Sequence, residues 1–320
     1  MTTAPDPALR AFVRRALDLA ETPPPEFVPI TRGGSDRAYF RLSAGARSWI
    51  VMRYGRARPE NAVFAPVARF LAERGVRVPR IVAEDAERGL LILEDLGDRD
   101  LWSFRGADAP LRLTLYRRTL DVVHRLHTLP VGDDAVRRLP LMAPFDAALY
   151  RCERDYFREH FVRGVCALDL DPVEEDALEE ELAALADRLA DVPPRLVHRD
   201  LQSQNVMVPG GEPALIDFQG MRLGSPFYDL GALLYDPYVP FTPEARLDLL
   251  RHYHDRGPQT LPWPAFVEAF REASVQRLLQ ALGAYGCLGL RTGRPDFLAH
   301  VPRGLENLIE AAGRSPRLGR

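Results

Sequence analysis

Two hydrophobic periods alternate along the chain. Near its start Leu9, Phe12, Val13, Ala16 and Leu17 fall on one helical face, which predicts an amphipathic helix within residues 1–21, ended by Pro23, Pro24 and Pro25. From Phe27 to Arg53 the period shortens. Residues 38–42 and 49–52 are rich in β-branched and aromatic side chains and flank Ser43-Ala44-Gly45, as in an antiparallel hairpin. Val63, Val67, Phe70 and Leu71 restore the helical spacing, and Gly75 supplies a residue that turns left-handed at little cost. Residues 79–83 and 90–94 read as two more strands about a charged turn, closing a strand-rich region near Asp95-Leu96-Gly97.

Beyond that point the pattern is helical. In 111–129 the residues Leu113, Tyr116, Leu120, Val123 and Leu126 recur at helical spacing with His127 beside them, and 144–162 and 174–190 behave alike. Only 196–218 interrupts, strand-like on either side of Pro209-Gly210-Gly211, before helices resume from about Ser225 through 276–290. The expected class is α+β and two-lobed: a small antiparallel-sheet lobe over 1–95 and a larger, mainly helical lobe over 96–320.

Composition narrows the partners. The 320 residues are 46% hydrophobic and carry a formal net charge of −3, which lacks the basic field needed to hold a nucleic acid. No basic-then-apolar leader and no membrane-length apolar run is present, so a cytoplasmic protein without a membrane partner is expected. Cys152, Cys166 and Cys287 show no metal-ligand spacing, and three thiols do not make a disulfide framework; buried, reduced thiols are expected. The acidic runs Glu174-Glu175-Asp176 and Glu179-Glu180-Glu181 read as the solvated face of a helix. All 42 basic residues of the Lys+Arg class are arginine, so any side-chain cation of that class in a site is a guanidinium.

The chemistry concentrates in Val197-His198-Arg199-Asp200-Leu201-Gln202-Ser203-Gln204-Asn205, followed 12 positions later by Asp217-Phe218-Gln219. This is the H-R-D-x-x-x-x-N pattern of kinases with a later D-F element. Residues 206–208 and 214–216 are expected to pair as a hairpin that sets Asn205 opposite Asp217. Two oxygen-bearing side chains at one hairpin end suit Mg²⁺, which takes few protein ligands beside water and nucleotide phosphates. Asp200 is then the carboxylate that orients a hydroxyl and accepts its proton, whereas His198 reads as a core histidine satisfied by backbone.

Upstream, Gly33, Gly34, Ser35 and Arg37 form a turn into the first hairpin where backbone N–H groups can approach the phosphates of ATP. The third strand of a kinase carries a phosphate-binding lysine; 49–53 occupies that place without one, and Arg53 is the nearest cation. Leu96 holds the position whose backbone would meet adenine.

These motifs resemble the aminoglycoside phosphotransferase and choline kinase superfamily across nearly the whole chain. Gly33-Gly34-Ser35-Asp36-Arg37, Tyr39-Phe40-Arg41, Val78-Pro79-Arg80-Ile81, Leu93-Glu94-Asp95-Leu96-Gly97 and Ile216-Asp217-Phe218-Gln219 are similar to the anomeric N-acetylmuramate/N-acetylglucosamine kinases of bacterial cell-wall recycling. So are Tyr228-Asp229-Leu230 with Leu233-Leu234-Tyr235-Asp236, and Val275-Gln276-Arg277 with Leu282-Gly283. That subgroup also lacks the kinase lysine. The resemblance implies transfer of the ATP γ-phosphoryl group, with Mg²⁺, to the C1 hydroxyl of a small amino sugar. Two departures stand against the subgroup: Leu201-Gln202 in place of an aromatic–histidine pair, and Gly220 where an acidic residue is common. Gln219, Asp236, Tyr238 and Glu153 supply the amide, carboxylate and aromatic groups a sugar pocket needs. Alternatives are an aminoglycoside or choline/homoserine-type kinase and, in another class, a nucleotide-binding scaffold without turnover.

Overall fold

The computed structural model describes residues 5–19, 25–30, 37–55, 61, 63–257 and 261–318. The first helix, α1 (Pro7–Leu17), starts where Asp6 accepts the Leu9 N–H at 2.8 Å and ends at Asp18 in the left-handed region, inside the predicted span. Five strands follow: β1 (Glu26–Ile30), β2 (Ala38–Ala44), β3 (Arg47–Arg53), β4 (Ile81–Asp85) and β5 (Leu90–Glu94). They form an antiparallel sheet in the order β1-β2-β3-β5-β4. The sequence pattern does not separate β1, because its alternation is broken by Pro29 and its residues are largely exposed.

Strand alternation divides the sheet into two apolar faces. Phe40, Leu42, Val51, Leu90 and Ile92 bury against Leu9, Phe12 and Val13 of α1. Met52, Leu91 and Leu93 belong instead to the main core, with Tyr39 and Ile50 packed on it. Helix α2 (Phe64–Glu73) lies on this second face, with Val67, Phe70 and Leu71 buried as its periodicity requires. Each such fully buried side chain contributes roughly 1.5–3 kcal/mol.

The remaining chain is a helical layer: α3 (Ala109–His127), α4 (Ala147–Phe157), α5 (Pro172–Ala190), α6 (Pro226–Leu234), α7 (Pro243–His254), α8 (Trp263–Arg291) and α9 (Val301–Gly313), with short turns between. α4 runs on into a π-helical turn, Arg158–Val165. The 29-residue α8 is the axle of this layer, touching α4, α6 and α9. It crosses α6 closely at Gly231, where a Cβ would stand 2.9 Å from the Ser274 Cα, so a larger residue would force the helices apart.

Two surface expectations are corrected. Cys152 and Cys166 are exposed and Cys287 half-buried, all three free; Cys152 sits on the outward side of the amphipathic α4 and Cys166 just past the π-helical turn. On α5, Glu175 and Glu179 pair with Arg158 and Glu179 also with buried Arg154, so part of the acidic face is clamped to α4 rather than solvated.

Candidate active site

Strand β6 (Arg195–Val197) delivers the chain into the loop holding Asp200, and pairs with β9 (Arg222–Gly224) so that Val197 faces Arg222. Arg199 adopts φ 77°, a left-handed conformation that costs a non-glycine residue roughly 1–3 kcal/mol. A buried carboxylate holds it there. Asp229 on α6 is fully buried and accepts the backbone N–H of His198 at 2.6 Å and of Arg199 at 2.8 Å. Its Oδ2 also lies 3.1 Å from His127 Nε2 on α3, whose Nδ1 is 2.8 Å from the Tyr253 hydroxyl on α7. Asp236 fastens the next turn, accepting Ser203 N–H at 2.8 Å and Tyr238 N–H at 3.0 Å. His198 donates Nε2–H to the Ile216 carbonyl at 2.9 Å, the structural role expected of it.

Asp200 stands at the open end of this frame with its side chain 34% exposed. Arg199 Nη1 donates to its Oδ2 at 3.0 Å, and Arg277 Nη2 of α8 lies 3.9 Å from its Oδ1. Burial pushes the carboxyl pKa up, but the positive fields of Arg199 and Arg277, with His198 and Arg222, outweigh this and hold it below the ordinary aspartate range. Asp200 is thus a carboxylate, available to accept, at neutral pH.

The hairpin that follows, β7 (Val206–Met207) with β8 (Ala214–Leu215), pairs Val206 with Leu215. Asn205 therefore faces Ile216, whose N–H it accepts at 3.0 Å, and not Asp217. The expected register was one residue off because the hairpin is only two pairs long and the loop around Pro209 turns through two glycines with positive φ. Asn205 donates its amide N–H to the Asp200 carbonyl at 2.8 Å, which turns its amide oxygen away from that carbonyl. Asp217 lies one residue beyond in a left-handed conformation, φ 59°, half exposed, with Arg37 Nη1 at 3.5 Å. Phe218 is buried against Phe64 of α2, ring centroids 4.9 Å apart, tying this corner to the sheet side.

Arg37, Tyr39 and Arg41 share one face of β2 by alternation. Arg37 Nη1 is 3.4 Å from the Tyr39 hydroxyl, and Arg41 forks onto Asp95 at 2.8 and 3.1 Å. Leu96, next in that linker, is buried at 7% exposure. Arg53 is not brought to this face. It sits in register with Ala38 and shares its side of β3 with Val51, on the α1 face, where its guanidinium donates to Asp6 at 2.8 Å. The cations on the opposite face, beside Tyr39, are Arg37 and Arg41. Gly33, Gly34 and Ser35 lie outside the described residues.

A second cluster closes the helical side. Glu153 of α4 is buried and accepts from the Tyr228 hydroxyl and the Gln276 amide, each at 3.0 Å. Burial raises its pKa against the pull of Gln276, Arg199, Tyr228 and Arg277. Gln219 is buried with its amide beside Tyr39. Asp236 lies within electrostatic reach of Arg277, and Tyr238 packs edge-on against His300, with centroids 4.4 Å apart.

Tyr228, Asp229, Arg222 and Arg277 lie outside the catalytic and metal motifs legible in the sequence. A signal for two of them exists: Asp229 interrupts the otherwise apolar Pro-Phe-Tyr-Asp-Leu-Gly-Ala-Leu-Leu of α6, and a helix buried all round cannot carry a carboxylate without partners. Arg277 carries a weaker signal, lying among Val275, Leu278, Leu279 and Leu282 on a helix that also bears Glu268, Arg271 and Glu272.

Among the described residues no three His, Cys, Asp or Glu side chains gather as a metal site. The pair Asn205 and Asp217 nonetheless has the donor set of a magnesium held largely by nucleotide oxygens, one amide and one exposed carboxylate.

A profile described as "phosphotransferase enzyme family" matches residues 26–267. An N-acetylmuramate/N-acetylglucosamine kinase of Pseudomonas aeruginosa is 32% identical over 308 residues, 93% of this chain and 87% of that protein. A kinase of the same name from Neisseria meningitidis is 26% identical, covering 88% and 84%. Among solved structures, an ADP-bound aminoglycoside phosphotransferase superposes with TM-score 0.61 at 15% identity, covering 96% of this chain and 99% of that one. A choline/ethanolamine kinase family protein from Mesorhizobium loti gives 0.61 at 20% identity, covering 96% and 94%. These structural likenesses establish the two-lobed, protein-kinase-like fold.

Proposed function

The chain belongs to the phosphotransferase enzyme family, and from that premise we propose that it transfers the γ-phosphoryl group of ATP to the anomeric C1 hydroxyl of N-acetylmuramate or N-acetylglucosamine. The acceptor is the one named for relatives at 30–32% identity over 93% of the chain. Salvage of these cell-wall sugars in the cytoplasm fits such an enzyme. The observation that carries the reading is Asp200: a carboxylate kept ionised by guanidiniums, on a loop pinned from behind by Asp229 and Asp236.

In this reading residues 1–95 hold the nucleotide and 96–320 hold the acceptor. Arg37 faces the phosphates together with the glycine turn, and the Leu96 backbone meets adenine. Asn205 and Asp217 are the residues that would hold Mg²⁺, which supplies charge neutralisation on the phosphate oxygens. Asp200 hydrogen-bonds the C1 hydroxyl, aligns its oxygen with the γ-phosphorus and accepts the proton as the new O–P bond forms and the bond from the γ-phosphorus to the bridging oxygen breaks, that oxygen leaving with ADP. Gln219 and Glu153 orient the sugar directly; Asp236 acts through the loop it braces, and Tyr238 flanks the pocket.

Mg²⁺-dependent release of ADP, with N-acetylmuramate, N-acetylglucosamine, kanamycin and choline offered separately, tests this. A sugar 1-phosphate that has lost reducing-end reactivity is expected. Turnover confined to kanamycin or choline would sink the acceptor assignment and keep the reaction class.

A further inference from the structure

Three guanidiniums meet on the helical side of Asp200, and several of their N–H groups find no acceptor among the described residues. Arg199, Arg222 and Arg277 converge there, and Arg222 and Arg277 are only 7% and 4% exposed. Facing them are Asp200, Glu153 and, toward Arg277, Asp236; Glu153 is already bound by two neutral donors, Tyr228 and Gln276, and Asp236 by the Ser203 and Tyr238 N–H groups. Arg277 donates Nη1 to Gln280 at 2.6 Å, but its Nε is buried without an acceptor, as is the Nε of Arg199. Arg222 donates Nε to the Gly220 carbonyl at 3.1 Å; its two terminal nitrogens, the fork that grips a carboxylate, meet no hydrogen-bond acceptor among the described residues. Guanidiniums of low exposure with N–H groups still free to donate, Arg222 also lying over the Phe145 ring, suit an anion.

Two anions can reach Asp200: the transferring phosphoryl group and a charge borne by the acceptor. The phosphoryl group belongs with Arg37, Asn205 and Asp217. Arg222 and Arg277 stand on β9 and α8, among Glu153 and Tyr228 of the acceptor side. We infer that Arg222, backed by Arg277, binds a carboxylate on the acceptor, so that the acid sugar N-acetylmuramate is selected over neutral N-acetylglucosamine. This rests on the amino-sugar reading above. The lactyl ether of N-acetylmuramate ends in such a carboxylate; N-acetylglucosamine has a hydroxyl in its place.

The measurement is the ratio of kcat/KM for N-acetylmuramate to that for N-acetylglucosamine, in wild type, Arg222→Gln and Arg222→Lys, each purified enzyme reporting both acceptors. Loss of one bidentate, charge-assisted contact predicts a roughly 10- to 100-fold fall of the ratio in Arg222→Gln, expressed mainly in KM, with Arg222→Lys in between. The wild-type enzyme offered N-acetylmuramate with its carboxylate converted to a carboxamide provides a test that no folding defect can blur; a comparable loss is expected. Equal losses on both acceptors in Arg222→Gln, or a carboxamide used as well as the acid, overturns the inference and leaves the amino-sugar reading standing. A wild-type enzyme that phosphorylates neither sugar overturns that reading, and the inference with it.

Discussion

On the sheet-facing side of Asp200, Asp217 is 51% exposed and its neighbouring cation Arg37 stands 3.5 Å off. On the helical side, Glu153, Arg222 and Arg277 are 5%, 7% and 4% exposed and belong to one continuous polar cluster. In the proposed reading nucleotide and cation would complete the first side, whereas the second is already braced by hydrogen bonds among its own side chains. Changes on the first should therefore act on ligand affinity and leave the fold alone, whereas changes behind the second should reach the fold as well.

The largest effect is expected where the sides meet. Asp200→Asn keeps the shape and removes the proton acceptor, so turnover should fall by about 10²–10⁴-fold while Mg²⁺-ATP still binds, checked by steady-state rates beside nucleotide titration. Full activity in this variant would end the mechanism. Asp217→Ala comes next: about 100-fold lower turnover with a matching loss of Mg²⁺-dependent nucleotide affinity and an unaltered melting temperature. Asp229→Ala should reverse that pattern. It strands the buried His198 N–H and the partly buried Arg199 N–H and releases the Arg199 conformation, costing about 3 kcal/mol in urea denaturation besides slowing turnover.

A smaller, directional effect concerns pH. The Asp200 pKa is depressed, so its carboxylate form persists as pH falls and activity is lost only through that lowered value. Arg277→Gln removes one of the depressing charges; the acid limb of the kcat–pH profile should move to higher pH, and a stationary limb would show that another group governs it. The smallest effect belongs to Arg53→Ala. Its partner Asp6 is 46% exposed, so about 0.5 kcal/mol of stability is expected, with nucleotide affinity unchanged by calorimetry.

The contrast also explains what the sequence disclosed. Strands 38–42 and 49–52, the helix around Phe70 and the run from His198 to Asp217 were legible because their signals are local: period, turn residues and fixed spacing. Arg53 lies on the α1 side of the sheet because one step along a strand changes the face, and the residues of β3 alone do not record which face α1 covers. Asn205 was set one pair out because a two-pair hairpin leaves its loop free to absorb a residue. The helical-side cluster joins Glu153 to Tyr228 and Gln276, 75 and 123 residues away, and no local pattern records such a meeting. Only Asp229 in the apolar α6 and, more weakly, Arg277 between Val275 and Leu278 hint at it.

The carboxylate of Asp229 has a consequence for how the molecule fails. It fastens the Asp200 loop to α6 and reaches across to His127 of α3, with Tyr253 of α7 behind. No small local opening can free the His198 and Arg199 amides while those helices stay together. Their exchange with deuterated solvent should be as slow as that of the deepest helix, and heat inactivation should coincide with global melting instead of preceding it.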